Sequence, residues 1–225
     1  MKKLFYILFA ALLTASCATI APEITRESQY PRMYEERPLS LLVMPPINNT
    51  SFVEAKDLLY TSISKPLAEA GYYVISPFLA MDILRAESAY DAELFVAASL
   101  TPFKNYFGAD AVVFSEINSW TKRGFGIDTN IRYFIRSTTS GEIIFDRSCD
   151  LYLDLSVDSG QSGLFAALVE LAASAIVTAS TEHITAARKA NVYIFSDLPR
   201  GRYSPDYDRD RGFAASARDI KTTVK

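Results

Sequence analysis

"ADAVVFSEINSW" (residues 109–120) alternates apolar and polar side chains, and "GIDTNIRYFIRSTT" (126–139) and "GEIIFDRSCDLYLDLS" (141–156) follow it with the same two-residue period. Successive side chains of a strand point to opposite faces, so this alternation predicts three long strands, each with one buried and one wet face. "GFG" (124–126) and "TTSGE" (138–142) supply the connecting turns, which makes the three an antiparallel meander. "GFG" is not a phosphate loop, because it lacks a third glycine and does not join a strand to a helix.

Upstream, "PLSLLVMPPINNTS" (38–51) is a short continuous apolar run closed by Pro45 and Pro46, the pattern of a strand buried on both faces. A helix is predicted after it. Ser51 is its candidate cap, Phe52, Leu59, Ile63, Leu67 and Ala70 are its apolar face, and Gly71 is its terminator. Pro66 lacks a donor and should kink that helix. "YYVIS" (72–76) reads as a second strand, and "PFLAMDILRAES" (77–88) as a helix opened by proline. "SLTPFKNYFG" (99–108) repeats the order of cap, proline and terminal glycine. Asn48 and Asn49 read as a turn and cap.

Downstream, "SGQSG" (159–163) precedes a predicted amphipathic helix over residues 164–188. Leu164, Leu168, Ala172, Ala175, Ile176 and Ala179 share one face, and Glu170, Ser174, Thr181 and Arg188 share the other. The order βαβαα followed by βββα predicts an α/β (α+β) fold. Its mixed sheet is parallel in its first strands and antiparallel in its later ones, and helices, including the long C-terminal one, cover it. Residues 18–37 have no period and read as a tether, and residues 196–225, rich in Arg, Asp, Pro and Gly, read as a charged flexible tail. The globular domain is therefore expected at 38–195.

Lys2 and Lys3 precede an apolar stretch at 4–13, too short to cross about 30 Å of hydrocarbon as a helix. Residues 1–16 read as a signal peptide. Ala15 and Ser16 lead into Cys17, an arrangement that resembles the lipobox of bacterial lipoproteins, with Thr14 where leucine is usual. The resemblance implies acylation of Cys17, and Ala18 in place of aspartate implies the outer membrane. Cleavage near Ala18 as an ordinary secretory signal is the alternative.

The net charge of −3 offers no basic footprint for nucleic acid. With Cys17 lipidated, Cys149 has no intramolecular partner. It shares parity with Ile143, Phe145, Leu151, Leu153 and Leu155, a series broken only by Arg147, so a buried thiol is expected; an intermolecular disulfide is the other reading. "SISK" (62–65) fits the S-x-x-K pattern of acyl enzymes, but neither KTG nor SDN follows, and two polar residues on the outer side of a helix explain it. His183, the single histidine, would have to serve any triad. It projects near Phe165, Ala172 and Ile176, as a hydrogen-bonded core residue does. A zinc site would need further ligands. Asp146, Asp150 and Asp154 share one strand face at intervals of about 14 Å, too far apart for one cation, and read as solvated.

"LLVMPPINNT" (41–50), "KPLAEAGYYVISP" (65–77) and "YFGADAVVFSEI" (106–117) resemble the matching stretches of a family of bacterial outer-membrane lipoproteins that includes a neisserial vaccine antigen. The likeness covers residues 38–195. It implies a fold similar to the amino-terminal domain of the Tol translocation protein and to curli-secretion lipoproteins. By the same resemblance the chain is a non-catalytic interaction module without cofactor, lipid-anchored with its domain facing the periplasm, and active in envelope assembly or secretion. The implied partner is an envelope protein such as a curli-secretion-type lipoprotein, with a homo-oligomer also compatible. The competing reading is a small-ligand or peptidoglycan-related envelope enzyme using Ser62 or His183.

Overall fold

A computed structural model describes residues 24–156 and 175–225. The signal peptide, Cys17 and residues 159–174 of the expected linker and helix lie outside the described residues.

The meander forms as its alternation requires. Strands β4 (Ala111–Arg123), β5 (Gly126–Ser137) and β6 (Ile143–Asp154) pair antiparallel in sequence order. A two-residue turn at Gly124 and Phe125 joins the first pair, and Gly124 takes a positive φ of 58°. Strand β1 (Ser40–Val43), buried along its whole length, runs parallel to β4 on one side and to β3 (Tyr73–Val74) on the other. The short β2 (Ile47–Asn48) adds parallel to β4. Parallel first strands and antiparallel later ones thus match the sequence expectation.

Helices cover both faces. On the inner face, α2 (Pro31–Glu36), α3 (Ala55–Ser62), α4 (Ser64–Glu69) and α7 (Ala175–Ile194) meet the sheet, while α1 (Arg26–Gln29) packs on α2 and the C-terminal segment. Leu59, Ile63, Ala187 and Ala190 pack there against Val113, Ile131 and Cys149. On the outer face, α5 (Pro77–Ala86), a 3₁₀ turn at Ala92–Phe95 and α6 (Thr101–Phe107) cover only part of the sheet, with Leu84 and Phe103 against Phe114 and Phe134. The expected helix over 52–70 is divided at Ile63, because Pro66 offers no N–H to the Ser62 carbonyl and its ring crowds that group. Ser51 is not its cap. The helix begins at Ala55, and Asn48 Oδ1 instead holds the turn by accepting from the Thr50 N–H and hydroxyl.

Two β-bulges break the two-residue alternation. The register slips between Ile117 and Ser119, so Trp120 turns to the inner face opposite Thr129. A second slip between Ile135 and Arg136 leaves Ile144 buried and Ile143 exposed, the reverse of the parity reading.

Both flanks are packed. Residues expected in a tether form α1 and α2 and bury Tyr30, Met33 and Tyr34. Residues 196–225, expected as a flexible tail, wrap the domain and end in β7 (Asp219–Val224), which pairs parallel with β6. Several of their charges pair with distant residues, among them Asp197 with Arg147, Arg211 with Glu27 and Arg218 with Asp146. The buried Asp210 accepts from Arg26 Nη1 at 3.1 Å and from the Arg200 N–H at 2.8 Å. Gly201 N–H donates to the Ala70 carbonyl at 2.8 Å, and a Cβ on Gly201 would meet the Gly71 carbonyl oxygen at 2.4 Å, so this approach requires glycine.

Candidate functional site

Ser62 and His183 do not form a catalytic pair. Ser62 sits at the end of α3, half-buried against α7 instead of facing outward. Its hydroxyl donates to the Leu58 carbonyl at 2.8 Å and accepts from Asn191 Nδ2 at 2.9 Å. Asn191 is itself fixed, donating also to the Leu59 carbonyl at 3.0 Å and accepting from the Tyr133 hydroxyl. Lys65 points to solvent and pairs with Glu69 at 3.7 Å, so the S-x-x-K spacing brings no base to the serine. His183 is half-buried further along α7. The Trp120 indole N–H donates to its Nδ1 at 2.9 Å, and Phe52 stacks on the ring with centroids 4.3 Å apart. Asn191, which holds Ser62, and His183 stand eight residues apart on α7, about 12 Å along the axis. Burial lowers the histidine pKa below its ordinary value, with Glu182 and Glu54 opposing and Lys122 reinforcing the shift.

Cys149 is fully buried and unpaired among the described residues. Burial pushes its thiol pKa up to about 11. Among the described residues no group of three or more His, Cys, Asp or Glu side chains is placed to hold a metal ion, and no helix is long and apolar enough to cross a membrane.

The uncovered half of the outer sheet face carries polar side chains bonded in ranks across the strands. Arg132 donates to Glu116 at 3.3 Å and to Asp146 at 2.8 Å, and Arg218 also reaches Asp146. Asp146 is therefore buried between two guanidinium groups, a correction to its reading as a solvated residue. The next rank runs from Asn49 through Asn118 and Asn130 to Asp150, and the last pairs Arg123 with Asp128 while the guanidinium lies 4.4 Å from the Tyr152 ring centroid. These groups are occupied with each other, which leaves this face few unsatisfied donors for a ligand.

The other candidate surface is apolar. On α5, Ala80 and Leu84 face the core, while Phe78, Leu79 and Ile83 are exposed, Phe78 to 76%. Leu94 and Tyr106, the latter 77% exposed, extend the surface across the 3₁₀ turn and α6. A groove of about 190 Å³ runs between α5 and α6, lined by Ile83, Glu87, Phe95, Phe103, Tyr106 and Phe107. Asp82, Glu87, Asp91 and Glu93 are exposed around it, and none enters an ion pair among the described residues. Sequence reasoning missed this surface, which it could have found in "PFLAMDILRAES": Phe78, Leu79, Met81 and Ile83 surround the helix more completely than one buried face needs.

Solved structures similar to this chain include lipoprotein GNA1162 from Neisseria meningitidis, at 22% identity and a TM-score of 0.45, covering 64% of this chain and 99% of that one. The PelC dodecamer from Paraburkholderia phytofirmans gives 13% identity and a TM-score of 0.42 over 80% and 93% of the two chains. In sequence, "Putative lipoprotein NMB1124/NMB1162" of Neisseria meningitidis serogroup B is 29% identical over 121 residues, 53% of this chain and 54% of that protein, so the match spans about half of each. The family described as "Putative lipoprotein GNA1162-like" matches residues 28–197, well over half of the chain. The chain belongs to this GNA1162-like lipoprotein family.

Proposed function

We propose that this chain is a non-catalytic lipoprotein of the outer membrane, held through Cys17, whose folded domain faces the periplasm and binds a protein partner in envelope assembly or secretion. The observation that carries this reading is the exposed apolar surface of α5 and α6, on a domain whose candidate nucleophile, Ser62, is engaged in a structural hydrogen-bond network. Family membership and the short apolar segment ending at Cys17 support the anchor. A curli-secretion-type lipoprotein is one partner to test by in-cell crosslinking.

The test is complementation of a deletion strain. Ser62→Ala and His183→Gln should each restore the phenotype, whereas Phe78→Asp combined with Tyr106→Asp should not, although the protein is folded and present. Failure of Ser62→Ala at unchanged Tm would instead favour the enzyme reading. For the anchor, Cys17→Ser should abolish labelling by palmitate and release the protein from membranes. Unlabelled protein retained at the wild-type level in high salt would refute acyl anchoring.

A further inference from the structure

We propose that the groove between α5 and α6 docks an amphipathic helix of a protein partner, with apolar anchors flanked by lysine or arginine. The proposal rests on the interaction reading above and adds the chemistry of the occupant.

The lining is apolar apart from Glu87, and its volume of about 190 Å³ falls below the ~300–1,000 Å³ typical of small-molecule sites. A recess of this size admits single side-chain anchors. Around it, Phe78, Leu79, Ile83, Leu94 and Tyr106 are between 45% and 77% exposed, a concentration of large apolar side chains of the kind that marks a protein-interaction surface. A recess lined from both α5 and α6, with exposed apolar side chains around it, suits the apolar anchors of an amphipathic helix.

Charge selects the occupant. Asp82 is exposed on α5 with Phe78, Leu79 and Ile83, Glu87 lines the recess, Asp91 precedes the 3₁₀ turn and Glu93 lies in it. Arginines pair with carboxylates in much of the molecule, but these four carboxylates enter no ion pair among the described residues; the exposed Arg85 on α5 and Lys104 on α6, which donates to the Thr139 hydroxyl at 2.8 Å, offset only part of their charge, so the surface keeps an acidic excess. A second copy meeting this surface would bring the same acidic excess to it again, whereas a basic helix would complement it.

The test uses the chain from residue 17 carrying Cys17→Ser and two labelled helical peptides with identical leucine spacing, one with lysine and one with glutamate on the polar side. Fluorescence anisotropy should show the lysine peptide binding at least about tenfold more tightly than the glutamate peptide, with the difference shrinking at high salt. Asp82→Lys with Glu87→Lys should reverse the preference. Tyr106→Asp should weaken binding at least about tenfold while leaving Tm within about 2 °C, as an exposed position allows. Equal affinity for both peptides, no binding, or binding indifferent to Tyr106→Asp would overturn the proposal. Self-association in sedimentation that Tyr106→Asp removes would overturn it in favour of a second copy. The interaction reading fails separately, if substitutions on this surface leave the cellular phenotype restored.

Discussion

Arg147 on β6 and Asp197, three residues beyond α7, form an ion pair of 3.2 Å in which the arginine side chain is fully buried. The same guanidinium donates to the carbonyls of Tyr193 at 3.1 Å and Ile194 at 2.6 Å, in the last turn of α7, where the helix dipole is negative. The residue that interrupts an apolar series in the sequence is the post on which the helix end is fixed. Arg147→Met should therefore cost about 3–5 kcal/mol, because it strands a buried carboxylate and two carbonyls. Urea titration should show a lower midpoint with an unchanged slope. Adding Asp197→Asn should recover part of the loss, and a single variant as stable as wild type would contradict this role.

The C-terminal segment gives a second prediction. A flexible tail could be removed without effect on the domain, whereas the packed segment closes the sheet with β7 and neutralises Arg26 through Asp210. Truncation after Pro199 should lower Tm by many degrees. Asp210→Ala alone should destabilise by about 3–5 kcal/mol by leaving the buried Arg26 without its counter-ion. A truncated chain that melts like the full one would restore the tail reading.

These cases mark where the sequence is legible. The strands β4 to β6 are plain in the alternation of "ADAVVFSEINSW" and its successors, since a two-residue period is a local property. The bulges at Asn118 and Ile144 are not, because one unpaired residue flips everything beyond it and nothing in the composition announces it. That is why Ile143 faces opposite to expectation, and why Trp120 joins Ile117 on the inner face although the two are three positions apart. The flanks were misread for a different reason. Arg26 and Asp210 stand 184 positions apart, so each looks like a solvated charge within its own segment. The apolar surface was partly legible in α5, but the groove needs α6 beside it, and that juxtaposition is tertiary.

Cys149 yields a third prediction. The thiol is fully buried, and burial raises its pKa to about 11 although the nearby Arg147 pulls it down. A thiol reagent at pH 8 should label it at a negligible rate in the folded chain and at once in denaturant. Rapid native labelling would mean that the β6 parity around Cys149 is wrong.

The last prediction concerns pH. The indole N–H of Trp120 can only donate, so His183 Nδ1 must accept, and the neutral ring carries its proton on Nε2. Protonating Nδ1 would set N–H against N–H, in a half-buried site where desolvation already lowers the pKa below 6.5. The groups near the ring divide: Glu182 and Glu54 favour the cation and Lys122 opposes it. A folded pKa below the unfolded one means that the unfolded chain binds more protons in the interval between them, so stability rises with pH there. The contribution is fully present above the unfolded value of about 6.5 and is lost as pH falls through the folded pKa. The urea midpoint should accordingly be higher at pH 7.5 than at pH 5.5, and His183→Gln should remove that part of the slope. Because His183 is the single histidine, its ring protons can be followed by NMR without assignment ambiguity. Trp120→Phe should move the titration back toward 6.5, and a folded midpoint at or above 6.5 in the unsubstituted chain would refute the donor arrangement.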